Sequence, residues 1–255
     1  MPSRGIRPIP AVLGTRWRVG GNFFDHFGGR RERAHRMARE AKDDYLDKAY
    51  RDDDFYNDVF DADFWLAATS VTGTITETFG GDSGQVAIEV AGALAGDGHW
   101  LDNGNVITLT SAQRSPIVEV RCKVKETTRR KIQFGWKNAN AGASPTSNYV
   151  IIENDAVASA VNWFGKGDRA GAASSVNLGV VAQTTTFSIF RIQVDAVTGS
   201  ALFIIDGIVR GSLGSANVPA AATSLKLHHS IEVTGAFTRT TTLDYFKWWQ
   251  DRPTS

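Results

Sequence analysis

Pro116-Ile-Val-Glu-Val-Arg-Cys-Lys-Val-Lys125 decides the fold. Val118, Val120, Cys122 and Val124 share one parity, while Glu119, Arg121, Lys123 and Lys125 share the other. Successive side chains of a strand point to opposite faces, so this alternation describes a strand with one face on a core and one in water. Cys122 then sits in that core as a small hydrophobe.

Period two continues on both sides of this segment. Strands are expected over 85–90, 105–110, 131–136, 148–153, 187–195, 201–205, 225–233 and 240–250, each rich in Val, Ile, Thr or aromatic residues. Gly80-Gly-Asp-Ser-Gly84, Asp102-Asn-Gly-Asn105 and Asp206-Gly207 punctuate the gaps as turns. Many short strands with turn signals and no interleaved helices predict an all-β, antiparallel two-sheet sandwich over residues 63–255.

Composition bounds the function. The 255 residues carry 42% hydrophobic and 22% charged side chains, ordinary for a globular protein, and a formal charge of +1. That balance gives no reason to expect specific nucleic-acid binding. The single cysteine excludes a disulfide-stapled domain and paired-cysteine zinc sites. No apolar run approaches the roughly 20 residues that cross a bilayer, and the start of the chain lacks an apolar export segment. Synthesis in a cytosol without membrane insertion is the expectation.

Residues 1–62 read differently, as an N-terminal arm. Pro2, Gly5, Pro8, Pro10, Gly14, Gly20 and Gly21 prevent a continuous helix at its start. The stripe Ala34, Met37, Ala38, Ala41, Tyr45, Leu46 and Ala49 predicts a helix over about 30–50. Its first half is basic (Arg30, Arg31, Arg33, Arg36, Arg39) and its exit acidic (Asp43, Asp44, Asp47, Asp52, Asp53, Asp54), the reverse of what the helix dipole favours. Charges satisfied between molecules would explain this order. The five arginines, with Phe55, Phe60 and Trp65, are therefore the expected docking residues of the arm.

The C-terminal third carries Phe190-Arg-Ile-Gln-Val-Asp195, Thr198-Gly-Ser200, Ala201-Leu-Phe-Ile-Ile-Asp-Gly207, Ile208-Val-Arg-Gly211 and Leu243-Asp-Tyr-Phe-Lys-Trp-Trp-Gln250. This arrangement resembles the concanavalin A-like lectin and glucanase superfamily of jelly rolls, shared by laminin-G-like modules. The resemblance implies a jelly-roll fold and a lectin or glucanase activity. The active strand of the glucanases resembles Glu-x-Asp-x-x-Glu, which presents a nucleophile and an acid on one face. Here Glu119 is followed by Arg121 and Lys123 where further carboxylates are needed, and a carboxylate among cations has a lowered pKa unsuited to a general acid. Glu153-Asn-Asp155 lacks the spacing. A non-enzymatic protein is the expectation.

Other motifs have plain readings. Gly81-Asp-Ser-Gly84 resembles the nucleophile segment of chymotrypsin-like proteases, but no upstream segment supplies a base, so a turn is expected. Residues 97–105 offer oxygen ligands such as calcium takes, without EF-hand order, so no metal or other cofactor is assigned. His228-His229 in a strand face opposite ways, one expected packed and one wet. Trp100, Trp136 and Trp163, with Glu119 and Arg121, are the expected glycan contacts, since indoles stack on sugar rings.

Taken together, the residues predict a structural, binding virion component in the style of tailed-bacteriophage decoration or tail-associated proteins, made in the host cytoplasm. The arm would dock on capsid or tail proteins or on further copies of the chain, and the sandwich would meet host surface glycans. The alternatives are a free carbohydrate-binding lectin module and a divergent glycoside hydrolase.

Overall fold

The structure, a computed structural model, describes residues 16–17, 19–20, 48–55, 60, 65–70, 72–80, 84–103, 107–108, 115–138, 145–156, 161–195, 197–220 and 223–251. The chain divides into Met1–Ala49 and Tyr50–Ser255. In the first unit β1 (Arg16–Trp17) pairs in parallel with β2 (Val19–Gly20). Arg30, Arg31, Arg33, Arg36 and Arg39 lie outside the described residues, as does most of the expected 30–50 helix. Its last three positions do not form a helix: Lys48, Ala49 and Tyr50 begin β3 (Lys48–Asp53). Pairing of β3 with the last strand overrides the local helical pattern.

The remaining elements are β4 (Trp65–Ser70), β5 (Thr74–Phe79), β6 (Val86–Ala91), β7 (Ala95–Asn103), β8 (Ile107–Thr108), β9 (Ile117–Val124), β10 (Arg130–Asn138), β11 (Tyr149–Ala156), β12 (Asn162–Arg169), β13 (Ala172–Val181), β14 (Ser188–Val194), β15 (Ala201–Ile205), β16 (Ile208–Leu213), a 3-10 turn at Ser215–Asn217, β17 (Ser224–Thr234) and β18 (Thr238–Asp251). Sheet I runs β13-β12-β11-β10-β17-β7-β4, with β8 on β17. Sheet II runs β16-β15-β14-β9-β18-β6-β5, with β3 on β18. The ladders joining the long strands are antiparallel, so the all-β jelly-roll sandwich expected from the sequence is the observed fold.

The deciding strand behaves as its alternation dictates. Val118, Val120, Cys122 and Val124 of β9 enter the core, and burial pushes the Cys122 thiol up to about 12. Across the gap lie Ile132, Phe134 and Trp136 of β10 and Val150 and Ile152 of β11. Aromatic rings join the two sheets: Phe134 of β10 lies 5.0 Å from Phe190 of β14, and Trp163 of β12 lies 4.6 Å from the same ring. Each such side chain contributes roughly 1.5–3 kcal/mol by leaving water.

Three residues expected to dock the arm are instead part of this interior. Phe55 and Trp65 belong to the core cluster and Phe60 packs against it. Phe60 sits edge-on to Phe55 and to Phe79, and Trp65 is edge-on to Phe246 at 4.9 Å. Large apolar rings next to an open sandwich edge gain more from closing it than from waiting for a partner.

β4, β5, β7, β12 and β13 were not expected, although β13 carries a period-two signature in Val176, Leu178 and Val180. Conversely, the strand expected at 105–110 is represented among the described residues by Ile107–Thr108, and Asp102-Asn103 continue β7 instead of turning. The Asp206-Gly207 hairpin is as expected, with φ of 51° and 81° at its two residues.

Candidate functional site

Sheet I has an outer face whose residues are fixed by register. Val150 and Ile152 join the core while Ile151, equally buried, does not, so odd-numbered residues of β11 point outward. Glu153 pairs with Phe164 on β12 and with Gln133 on β10, Gln133 with Ser230 on β17, and Ser230 with Trp100 on β7. In the next row Ile151 pairs with Lys166 and Gly135, Gly135 with His228, and His228 with Asp102.

The half of this face nearest β13 is partly open. Phe164, Lys166, Tyr149 and Asn162 are half-buried and Asn177 is exposed. Glu153 accepts a hydrogen bond from Gln133 Nε2 at 2.6 Å and an ion pair from Lys166. Asn162 donates to Asn177 Oδ1 at 2.9 Å. Phe164 thus presents an aromatic platform flanked by a carboxylate, an ammonium and two amides. Two residues along β11 from Glu153, burial and the Glu153 charge raise the Asp155 carboxyl above the usual carboxylate range.

The other half, toward β7, is closed. Asp102 accepts from His228 Nδ1 at 2.8 Å and pairs with Lys137 Nζ at 3.1 Å, all three fully buried. Burial drives the His228 pKa down to about 4, although Asp102 pulls the other way, so the ring is neutral at neutral pH. Its proton sits on Nδ1, facing Asp102, which leaves Nε2 an acceptor. The expectation of one packed and one wet histidine is therefore corrected: both rings are buried, His229 toward the core and His228 within this polar cluster.

The expected glycan contacts divide as follows. Trp136 and Trp163 lie in the core on the inward parity of β10 and β12, and cannot stack on a sugar. Trp100 is on the outer face but only 4% exposed. Glu119 and Arg121 belong to the outer face of sheet II. Glu119 accepts from Tyr245 at 2.8 Å and Arg191 Nε at 2.8 Å, and lies 3.3 Å from Lys247 Nζ. Burial would raise its carboxyl, but Lys247 and Arg191 outweigh that and hold it below its ordinary value. The cations that do this come from neighbouring strands, not from Arg121 or Lys123 beside it in sequence. Arg121 pairs with Asp244 and lies over Phe187 at 4.7 Å. Glu119 is thus a fully engaged structural carboxylate.

Within the oxygen-rich 97–105 stretch, Asp97 and Asp102 are likewise engaged by their own chain. Asp97 accepts from Thr72, Ala93 and Leu94, which lowers its pKa, and Asp102 is in the buried cluster above. Among the described residues no group of three or more metal-ligating side chains converges. Gly81-Asp-Ser83 lies outside the described residues.

Phe164 and Tyr149 were missed from sequence because neither was read as part of an outward parity. The signal was available: Asn162-Trp-Phe-Gly-Lys-Gly-Asp168, read as a strand, puts Trp163 in and Phe164 out.

No family model and no curated protein sequence matches the chain. Solved structures do. An endo-1,3-beta-glucanase from Streptomyces sioyaensis is 12% identical with a TM-score of 0.60, covering 81% of this chain and 97% of its own. A Bacillus licheniformis beta-glucanase is 10% identical with a TM-score of 0.57, covering 81% and 99%. The Emp47p carbohydrate recognition domain is 12% identical with a TM-score of 0.53, covering 76% and 92%. The chain thus shares the concanavalin A-like jelly-roll fold of these glucanases and lectin domains.

Proposed function

We propose that the sandwich binds a saccharide chain on the outer face of sheet I, without cleaving it. The observation that carries this reading is Phe164: a half-buried ring with Glu153 and Asn177 as its direct cross-strand partners and Lys166 two residues along its own strand. Sugars offer an apolar ring face bordered by hydroxyls, and this row offers a ring bordered by donors and acceptors. The fold supports it, since structures of this shape include one named as a carbohydrate recognition domain. Absence of turnover is supported by the engagement of Glu153 with Lys166 and Gln133, which commits the best-placed carboxylate to binding.

The wider role in this proposal is a bacteriophage virion protein that displays the sandwich to host surface glycans. The reversed charge order of residues 30–54 supports it, with Arg30, Arg31, Arg33, Arg36 and Arg39 docking onto capsid or tail proteins or another copy of the chain. Phe55 and Trp65 take no part in that docking, being buried in the core, and half-buried Phe60 packs against it.

A glycan array probed with the full chain tests the binding. Signal on neutral glucans that drops about tenfold or more in Phe164→Ala supports it, a loss of roughly 1.4 kcal/mol. Unchanged signal in that variant overturns it. Release of reducing ends from a β-glucan, abolished by Glu153→Gln, would instead establish the hydrolase reading. Mass spectrometry of purified particles tests the virion assignment.

A further inference from the structure

A groove of about 420 Å³ opens on the outer face of sheet II, facing away from Phe164. Its size falls within the range of small-molecule sites, roughly 300–1,000 Å³. Two rows of side chains cross it. Thr76, Glu89 and Thr240 are in register on β5, β6 and β18, and the Lys125 amide bonds to the Thr240 carbonyl at 3.1 Å. Thr78 and Thr242 are each in register with Ala87, and Thr242 also with Lys123 of β9.

The chemistry of the groove is one-sided. Apolar residues contribute two small side chains to its lining, too little for a hydrophobic ligand. Five threonine hydroxyls line it, each a donor and an acceptor: Thr240 and Thr242 on β18 between the two sides, Thr76 and Thr78 on β5 beyond Glu89, and Thr184. Glu89 supplies acceptors on the β6 side, with Thr240 Oγ1 at 3.4 Å from it. Lys123 and Lys125 supply two ammonium groups on the β9 side, and neither has a carboxylate within ion-pair distance among the described residues. Lys123 Nζ instead lies 4.8 Å from the Phe187 ring centre, which holds it at the edge of the groove. The two sides are two strand spacings apart, about 10 Å.

We propose that this groove binds a sugar acid of the uronate class. The carboxylate sits at Lys123 and Lys125, and hydroxyls across the ring donate to Glu89 and exchange hydrogen bonds with the threonines. Among the lining side chains, Lys123 and Lys125 against Glu89 leave a surplus of one positive charge, which suits one uronate unit of a longer chain. Threonine on a strand has little χ1 freedom to lose, so the hydroxyls are ordered before the ligand arrives. This site does not depend on the saccharide face of sheet I.

Calorimetry and amide chemical-shift mapping on the full chain, with trigalacturonate and the neutral laminaritriose as probes, test it. Trigalacturonate is expected to shift the amides of Thr76, Thr78, Thr240 and Thr242 and to bind more weakly as salt rises. Lys123→Ala with Lys125→Ala should weaken that binding by about tenfold or more, and Thr78→Val with Thr242→Val should weaken it without touching the charge. Phe164→Ala should leave it unchanged, and laminaritriose should not shift the groove amides. Thermal unfolding of each variant confirms that the fold is retained. Trigalacturonate binding that survives the double lysine substitution, or groove amides that do not move, would overturn the assignment.

Discussion

Gly165 of β12 and Phe203 of β15 meet across the sandwich so closely that a Cβ on Gly165 would lie 2.5 Å from the phenyl ring. The contact joins sheet I to sheet II directly behind Phe164. Gly165→Ala must displace Phe203, a fully buried ring, and overpacking of this kind costs about 1–3 kcal/mol. Urea unfolding should show that loss. Gly171→Ala, in open space, gives the comparison: its φ of 96° imposes backbone strain but no clash.

Acid should destabilise the sandwich from its histidines first. His228 has its pKa lowered to about 4 and His229 well below its ordinary 6.5, in both cases chiefly by burial. Above pH 6.5 both rings are neutral whether folded or not, and stability is full. As pH falls below 6.5 the unfolded chain takes up protons that the folded chain refuses, and stability declines toward pH 4. Each histidine contributes a slope of up to about 1.4 kcal/mol per pH unit. His229→Leu should flatten the decline when unfolding free energies at pH 7 and pH 5 are compared.

Asp102 holds the polar cluster together, facing both His228 and Lys137 at full burial. Asp102→Asn keeps the shape but removes the carboxylate charge 3.1 Å from the Lys137 ammonium. Breaking a buried pair from one side costs about 3–5 kcal/mol. The midpoint in guanidinium should fall accordingly.

Truncation locates the boundary of the folded unit. Removal of residues 1–47 leaves β3 and every strand after it intact. Removal of 1–62 also takes away Phe55 and Phe60, the first of them fully buried. Loss of a buried phenylalanine costs about 3–5 kcal/mol. The shorter chain should therefore melt well below the longer one, and equal melting temperatures would show that Phe55 adds nothing to the core.

Alternation by itself determined the all-β class, the inward set on β9 and the Asp206-Gly207 hairpin, because each depends only on residues within one short segment. The engagement of Glu119 was only half legible. Its lowered carboxyl followed from nearby cations, but which cations, Arg191 and Lys247, depended on strands 72 and 128 positions away being brought alongside β9. The outward parity of Phe164 follows once 162–168 is read as a strand, but that this segment is a strand, and that Glu153 and Asn177 flank the ring, depended on tertiary structure. β12 puts Gly165 and Gly167 toward the core because Phe203 and Leu213 fill the space in front of them, so the strand shows no hydrophobic period to read. For the same reason Phe55, Phe60 and Trp65 read as loose aromatics: a sequence shows that a ring must be covered, but only the packed sheets decide what covers it.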